Sequence, residues 1–242
     1  MNQVLITGAS SGIGKQLACD YADDGWRVIA CGQNAQRLNE LEEEHQAIKT
    51  LRFDVTDFES TLSALTYLET LPELIILNAG TCEYIDEGKI DTALVKRVFD
   101  VNVYGVLHCI EALQARFNEK THLVIISSSA SFVALPRAEA YGASKAAMSY
   151  ITQALAVDLA YLNMKITLVN PGFVKTPLTD KNDFTMPMLV SPEHASKKIR
   201  SGIAAGKKEI SFPATFTLFL KTIALLPITF RLAVIKRMTG KS

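Results

Sequence analysis

The segment Thr7-Gly8-Ala9-Ser10-Ser11-Gly12-Ile13-Gly14 constrains the fold most, because it sets three glycines in eight residues directly behind the apolar run Val4-Leu5-Ile6. A buried strand that turns at once into a helix needs backbone free of side chains at its closest approaches, which glycine supplies. The helix that follows opens with unpaired N–H groups and a partial positive charge, and both attract phosphate. The turn therefore reads as a dinucleotide cradle, with a plain strand-to-helix turn as the bland alternative. Its spacing is GxxxGxG, not the GxGxxG of the general dinucleotide fingerprint.

Apolar runs of the same kind recur at Arg27–Cys31, Ile48–Phe53, Leu74–Leu77, His122–Ile126 and Lys165–Val169. Between them lie stretches of helical periodicity: Gly14–Asp24 sets Leu17, Ala18 and Tyr21 on one face, and Ala35–Glu44 does the same with Leu38 and Leu41. Strands alternating with helices predict an α/β fold, a Rossmann-like doubly wound parallel sheet whose ligands bind beyond the carboxyl ends of the strands. No Ser/Gly/Pro-rich linker and no repeat of fixed period divides the 242 residues, so one domain is expected. Within it, residues 1–209 read as the dinucleotide-binding catalytic part and 210–242 as an apolar helical extension.

That extension is rich in Leu, Phe and Ile, carries Pro213 and Pro227, and reads as two short helices, Phe212–Leu226 and Ile228–Met238. Lys221, Arg231, Lys236, Arg237 and Lys241 flank them. Neither helix approaches the ~20 apolar residues that span a bilayer. Three readings stand: packing that walls the substrate pocket, a subunit contact, or a basic amphipathic element on a membrane surface.

Lys plus Arg and Asp plus Glu balance at 25 each, so no net field draws nucleic acid, and a small-molecule partner is expected. Cys19, Cys31, Cys82 and Cys109 lie in apolar segments without CxxC pairing, which fits reduced, buried thiols. His45, His108, His122 and His194 have no metal-ligand spacing, so no metal is expected. The segment MNQVLITGAS lacks a basic stretch followed by a long apolar core, which points to the cytoplasm.

Tyr141-Gly142-Ala143-Ser144-Lys145 is a Tyr-x3-Lys pair that a helix sets on one face. A phenol with pKa ~10 is a poor acid–base catalyst near neutrality, and an adjacent ammonium lowers that value. The spacing alone is common. Its place after the glycine turn, and after the strand Leu123–Ile126 that leads into Ser127-Ser128-Ser129, gives it meaning.

Together these motifs resemble the short-chain dehydrogenase/reductase family over roughly the first four-fifths of the chain. The resemblance implies a carbonyl–alcohol oxidoreductase in which a nicotinamide cofactor hands over hydride and Tyr141 handles the proton. It implies cofactor contacts from Gly8, Ser10, Ser11, Gly12, Ile13 and Gly14 of the turn, from Asp54-Val55 on the adenine, and from Asn78-Ala79-Gly80, where Leu77 replaces the family's first Asn. Pro171-Gly172, Val174 and Thr176 resemble the element that contacts the nicotinamide. The family's catalytic serine falls on Ser128, with Ser127 and Ser129 as alternatives, and Asn102 matches its helix Asn, which binds a water linked to lysine.

No acid ends the second strand at Ala30-Cys31-Gly32-Gln33-Asn34, and Gln33 stands where NADP-using members often have Arg. Gln33, Asn34 and Arg37, with Ser11, are then the candidates for a 2′-phosphate, which favours NADP(H) with NAD(H) as the alternative. The region after the PG element, about Pro177–Val190, is expected to close over substrate, and its apolar residues hint at an apolar one. The Ala-rich helix over Ala138–Leu162 matches a family dimer or tetramer interface. The rival function is a non-catalytic NADP(H)-binding regulator or scaffold on the same fold.

Overall fold

A computed structural model describes residues 2–240. Seven strands build one sheet: β1 (Gln3–Thr7), β2 (Arg27–Gly32), β3 (Ile48–Arg52), β4 (Leu74–Leu77), β5 (His122–Ile126), β6 (Lys165–Pro171) and β7 (Glu209–Phe212). All pair in parallel, in the order β3-β2-β1-β4-β5-β6-β7. Every residue of β4 and β5 is buried, as strands covered on both faces must be.

The helices are α1 (Gly12–Asp23), α2 (Ala35–Glu44), α3 (Phe58–Thr66), α4 (Thr92–Phe99), α5 (Gly105–Leu113), α6 (Glu139–Asp158), α7 (Pro192–Ala204), α8 (Ala214–Ala224) and α9 (Ile228–Met238). Strand alternation divides the core into two layers. Val4 and Ile6 face Leu17 of α1 and Ile199 of α7, whereas Leu5 faces the layer of Val106, Ile110 and Met148. The chain winds outward from β1 to β3, then crosses back to β4 on the other side of β1. That reversal opens a crevice at the carboxyl ends of β1 and β4, where such sheets bind ligands.

Short polar side chains set the helix starts. Asn34, Asp57, Asp91 and Ser191 each accept a backbone N–H of the first turn of α2, α3, α4 and α7. Ser11, which precedes α1, makes no such bond. Between α4 and α5 the helix widens into a π-turn over Asp100–Tyr104, which presses Asn102 into the interior.

The expected boundary at residue 210 falls inside β7. Ile210 pairs with Val169 and Phe212 with Pro171, so the sheet continues three residues into the presumed extension. With only four residues, Glu209 and Ser211 among them, this strand is too short to stand apart from the apolar tail that follows. The helical tail begins at Ala214, and its inner face packs on the domain: Leu220, Ile223 and Ile235 form a cluster with Val133. Arg231 closes the α8–α9 corner by donating to the carbonyls of Ala224 and Leu226. Lys241 lies outside the described residues. No helix among them is long and apolar enough to cross a membrane.

Candidate active site

The glycine turn rests against the end of β4. Thr7 Oγ1 accepts the N–H groups of Asn78 and Ala79 at 3.0 and 3.1 Å, and Asn78 Nδ2 donates back to the Thr7 carbonyl at 3.1 Å. Gly8 has φ +66°, and a Cβ there would lie 2.9 Å from Ala79 Cα. At Gly14 a Cβ would come within 2.2 Å of the Gly8 carbonyl oxygen, so the turn closes only around a bare backbone.

Above the turn lies a cleft of ≈ 270 Å³, bounded by Gly8, Ser10, Ser11, Gly12 and Ile13 on one side and Asn78, Ala79 and Gly80 on the other. Gln33, Asp54 and Val55 close one end, and Thr176 overhangs Gly12. The glycine cradle, the N-terminus of α1 without a side-chain cap and this cleft fit an extended dinucleotide with its pyrophosphate at α1. Thr7, Cys31 and Phe53 at the ends of β1, β2 and β3, Val101 of the π-turn, and Pro177 and Leu178 of the loop after Thr176 also line the cleft.

Other expected cofactor residues lie elsewhere. Gly14 is packed beneath the turn. Asn34 spends its side-chain oxygen capping α2 through the Arg37 N–H at 3.0 Å, and the exposed Arg37 lies outside the cleft wall. Pro171 ends β6, Gly172 packs against Phe212 and Pro213, and Val174 is buried in the core. These three shape the wall from behind.

Arg52, which is not among the residues expected from the sequence, ends β3. It borders a second recess with Gln33, Asn34, Asp54 and Ser60, and its Nε donates to the Gln33 carbonyl at 3.3 Å. Gln33 is tied to the Asp54 carboxylate. Burial raises the Asp54 pKa, but hydrogen bonds from Thr56 and Gln33 prevail and hold it below the usual aspartate value.

At the other end of the cleft the catalytic candidates converge. A Cβ on Gly80 would stand 3.3 Å from Asn102 Oδ1 and 3.4 Å from Lys145 Nζ. Asn102 is fully buried: Oδ1 accepts the Thr81 N–H at 2.7 Å, and Nδ2 donates to the Thr81 carbonyl and Ser144 Oγ, each at 2.9 Å. Both amide hydrogens and one lone pair of Oδ1 are thus committed to protein.

The three serines after β5 separate by their partners. Ser127 Oγ donates to the Lys145 carbonyl at 2.8 Å and meets Ser149 Oγ at 2.9 Å, tying β5 to α6. Ser129 is buried in the next turn. Ser128, whose Oγ accepts the Ala130 N–H at 3.1 Å, is the one whose hydroxyl bears on Tyr141.

Burial pushes the Tyr141 phenol up to about 12, and the Ser128 hydroxyl works against that shift. Burial pulls the Lys145 ammonium down to about 8. Lys145 Nζ donates to the Ile126 carbonyl at 3.0 Å and sits 5.8 Å from the Tyr141 ring centre. Burial is thus the largest influence on the Tyr141 phenol in this arrangement, while the Lys145 ammonium is engaged by a carbonyl. Cys82, read from sequence as a buried core thiol, is instead half-buried here beside Lys145 and Tyr84, and burial raises its pKa.

A row of aromatic rings runs from Tyr84, a neighbour of Tyr141, to Phe184, Phe173 and Phe216, with centroids 5.8, 6.0 and 5.8 Å apart in turn. Phe184 belongs to the loop after Thr176, whose ends are held by the Val174–Val190 bridge. Tyr84 Oη donates to Asn182 of this loop at 2.6 Å. Arg137 lies over the Tyr84 ring and pairs with Asp86 at 2.8 Å and Asp183 at 2.5 Å, latching loop to body.

A model of the short chain dehydrogenase family matches residues 2–186. An uncharacterized oxidoreductase of Myxococcus xanthus is 34% identical over 232 residues, 92% of each chain. The NADPH-dependent 1-acyldihydroxyacetone phosphate reductase of Schizosaccharomyces pombe is 31% identical over 198 residues, covering 79% of this chain and 66% of that one. A short-chain dehydrogenase from Streptomyces avermitilis superposes with a TM-score of 0.82 over 100% of this chain and 98% of that one, at 21% identity, and so shares the fold. With the cradle and the cleft in agreement with these matches, the chain belongs to the short-chain dehydrogenase/reductase family, a family of NAD(P)-dependent oxidoreductases.

Proposed function

We propose that the protein interconverts an apolar carbonyl compound and its alcohol, with NADP(H) as the preferred cofactor. The convergence of Ser128, Tyr141 and Lys145 at the Gly80 end of a dinucleotide-shaped cleft carries this reading. A nicotinamide dinucleotide bound in the cleft would supply or accept the hydride.

In the reducing direction, the Ser128 and Tyr141 hydroxyls bind the carbonyl oxygen and polarise it. As the carbonyl carbon gains hydride, the oxygen becomes an alkoxide and takes the Tyr141 proton, giving the alcohol and a phenolate. A phenol held up to about 12 is protonated at neutral pH, the form a donor needs. Lys145 stands beside it to hold the nicotinamide ribose and to return the proton. Asn102 acts as a positioning residue, bracing Thr81 and Ser144 around them.

Arg52 supplies the positive charge that Gln33 lacks at the adenosine end of the cleft, which suits a 2′-phosphate. The NADPH dependence in the fission-yeast relative's name points the same way. The aromatic row suits an acyl or ring-bearing substrate, because Arg137 is already matched by two aspartates.

The outward stripe of Ala143, Ala146, Tyr150, Ala154 and Val157 on α6 supports self-association into a dimer or tetramer through that helix. A panel of ketones, aldehydes and alcohols assayed with each nucleotide tests the reading. Turnover of an apolar carbonyl, faster with NADPH than NADH, is expected. No turnover of any panel member with either nucleotide would sink it.

A further inference from the structure

Six of the sixteen exposed large apolar side chains among the described residues lie on α8 and α9, and a seventh, Leu225, caps α8. Leu218 and Phe219 of α8 and Leu225 at its C-cap are exposed, whereas Thr217, Leu220 and Ile223 are buried. On α9 the exposed residues include Ile228, Phe230 and Leu232. Leu218 is 66% exposed and Leu225 86%, values that a helix shielding only its own domain has no reason to show. The inner faces already do that packing, and Arg231 fixes the corner between the two helices. The outer surface is therefore a rigid, preformed apolar face.

Its charge has one sign. No Asp or Glu occurs between residues 210 and 242, whereas Lys236 and Arg237 are exposed in the last turn of α9. A two-fold contact through this face would offer the cations of either copy no acid on the face to answer them. An anionic lipid surface answers both features, with headgroups for the cations and acyl chains for the aromatic and aliphatic side chains. The face also continues toward the substrate loop, where Thr215 Oγ1 of α8 meets Met188 Sδ at 3.4 Å and Met188 and Leu189 are exposed.

We infer that the α8–α9 hairpin is a docking face for anionic membrane surfaces. The inference concerns the outer surface alone and stands whether or not the proposed chemistry is right.

Flotation of the full chain with phosphatidylcholine vesicles, and with vesicles of equal parts phosphatidylcholine and phosphatidylglycerol, tests it. The protein should float with the mixed vesicles and largely fail to float with the neutral ones. The triple variant Phe219→Gln, Leu225→Gln, Phe230→Gln and the charge reversal Lys236→Glu, Arg237→Glu should each weaken partitioning at least about tenfold. Both variants should keep wild-type far-UV circular dichroism and NADPH affinity, so a lost signal cannot be put down to misfolding. No flotation of the wild type with either vesicle overturns the inference, as does equal binding to neutral and anionic vesicles. Dissociation of a wild-type oligomer by the triple variant, without vesicle binding, would assign the face to a second copy and overturn it too.

Discussion

Asn102 Nδ2 donates to Ser144 Oγ at 2.9 Å, and that hydroxyl donates in turn to the Tyr141 carbonyl at 2.7 Å. This short chain of bonds ties the π-turn between α4 and α5 to the first turns of α6, the helix that carries Tyr141 and Lys145. Ser144 is invisible as a functional residue in the sequence, because it is simply one of the three residues between them.

Replacing Ser144 with Ala leaves a buried Asn102 N–H without its acceptor. The expected loss is about 1–3 kcal/mol in urea unfolding, with turnover reduced about tenfold and substrate KM little changed. An unaltered kcat would mean that the bonded chain does not position the tyrosine.

Gly14→Ala tests the cradle. The added methyl would overlap the Gly8 carbonyl at 2.2 Å, and backbone on both sides leaves it little room to yield. Stability should fall by about 3 kcal/mol or more, and NADPH affinity at least about tenfold. Calorimetric titration with NADPH reads the second effect directly.

Arg52→Ala separates the two nucleotides. Losing a charged hydrogen-bond donor to a 2′-phosphate should weaken NADPH binding about tenfold or more and leave NADH binding nearly unchanged. Equal losses for both would remove Arg52 from cofactor selection.

Lys145→Met separates stability from function. The folded-state lysine sits at about 8 against its ordinary 10.5, so below about 8 the wild type carries the full cost of a buried ammonium. That cost fades as pH rises from about 8 to 10.5, where the unfolded chain also loses its proton. The variant should therefore be inactive yet about 1–3 kcal/mol more stable at neutral pH, after allowance for the lost bond to Ile126. The gap between the two proteins should narrow toward pH 10. A gap that stays constant with pH would contradict the burial of a charged lysine.

The doubly wound sheet was legible because most of β1 to β6 are apolar runs set apart by amphipathic helices; β3, Ile48–Arg52 at the sheet edge, is the most polar of them. β7 was not legible, since four residues with Glu209 and Ser211 among them merge into an apolar tail. In the site, Gly8 and Tyr141 announced themselves through spacing, which is a property of the chain, and Asn78 through the family resemblance. Arg52, Cys82 and Phe216 did not, because only the folding of β3, of the loop after β4 and of α8 brings them to the cleft or its substrate side. The shift of the tyrosine is not legible either, because it depends on burial as well as on the lysine four residues on, and spacing carries no burial.

The central claim is that Tyr141 gives its proton to the substrate oxygen, and Tyr141→Phe tests it most directly. The substitution removes one hydroxyl from a half-buried ring and should leave the cleft intact. Single-turnover reduction of a carbonyl substrate with saturating NADPH should slow by a factor of about 10²–10⁴, with NADPH affinity within about threefold of wild type. A Phe variant that reduces the same substrate at close to the wild-type rate would contradict the account.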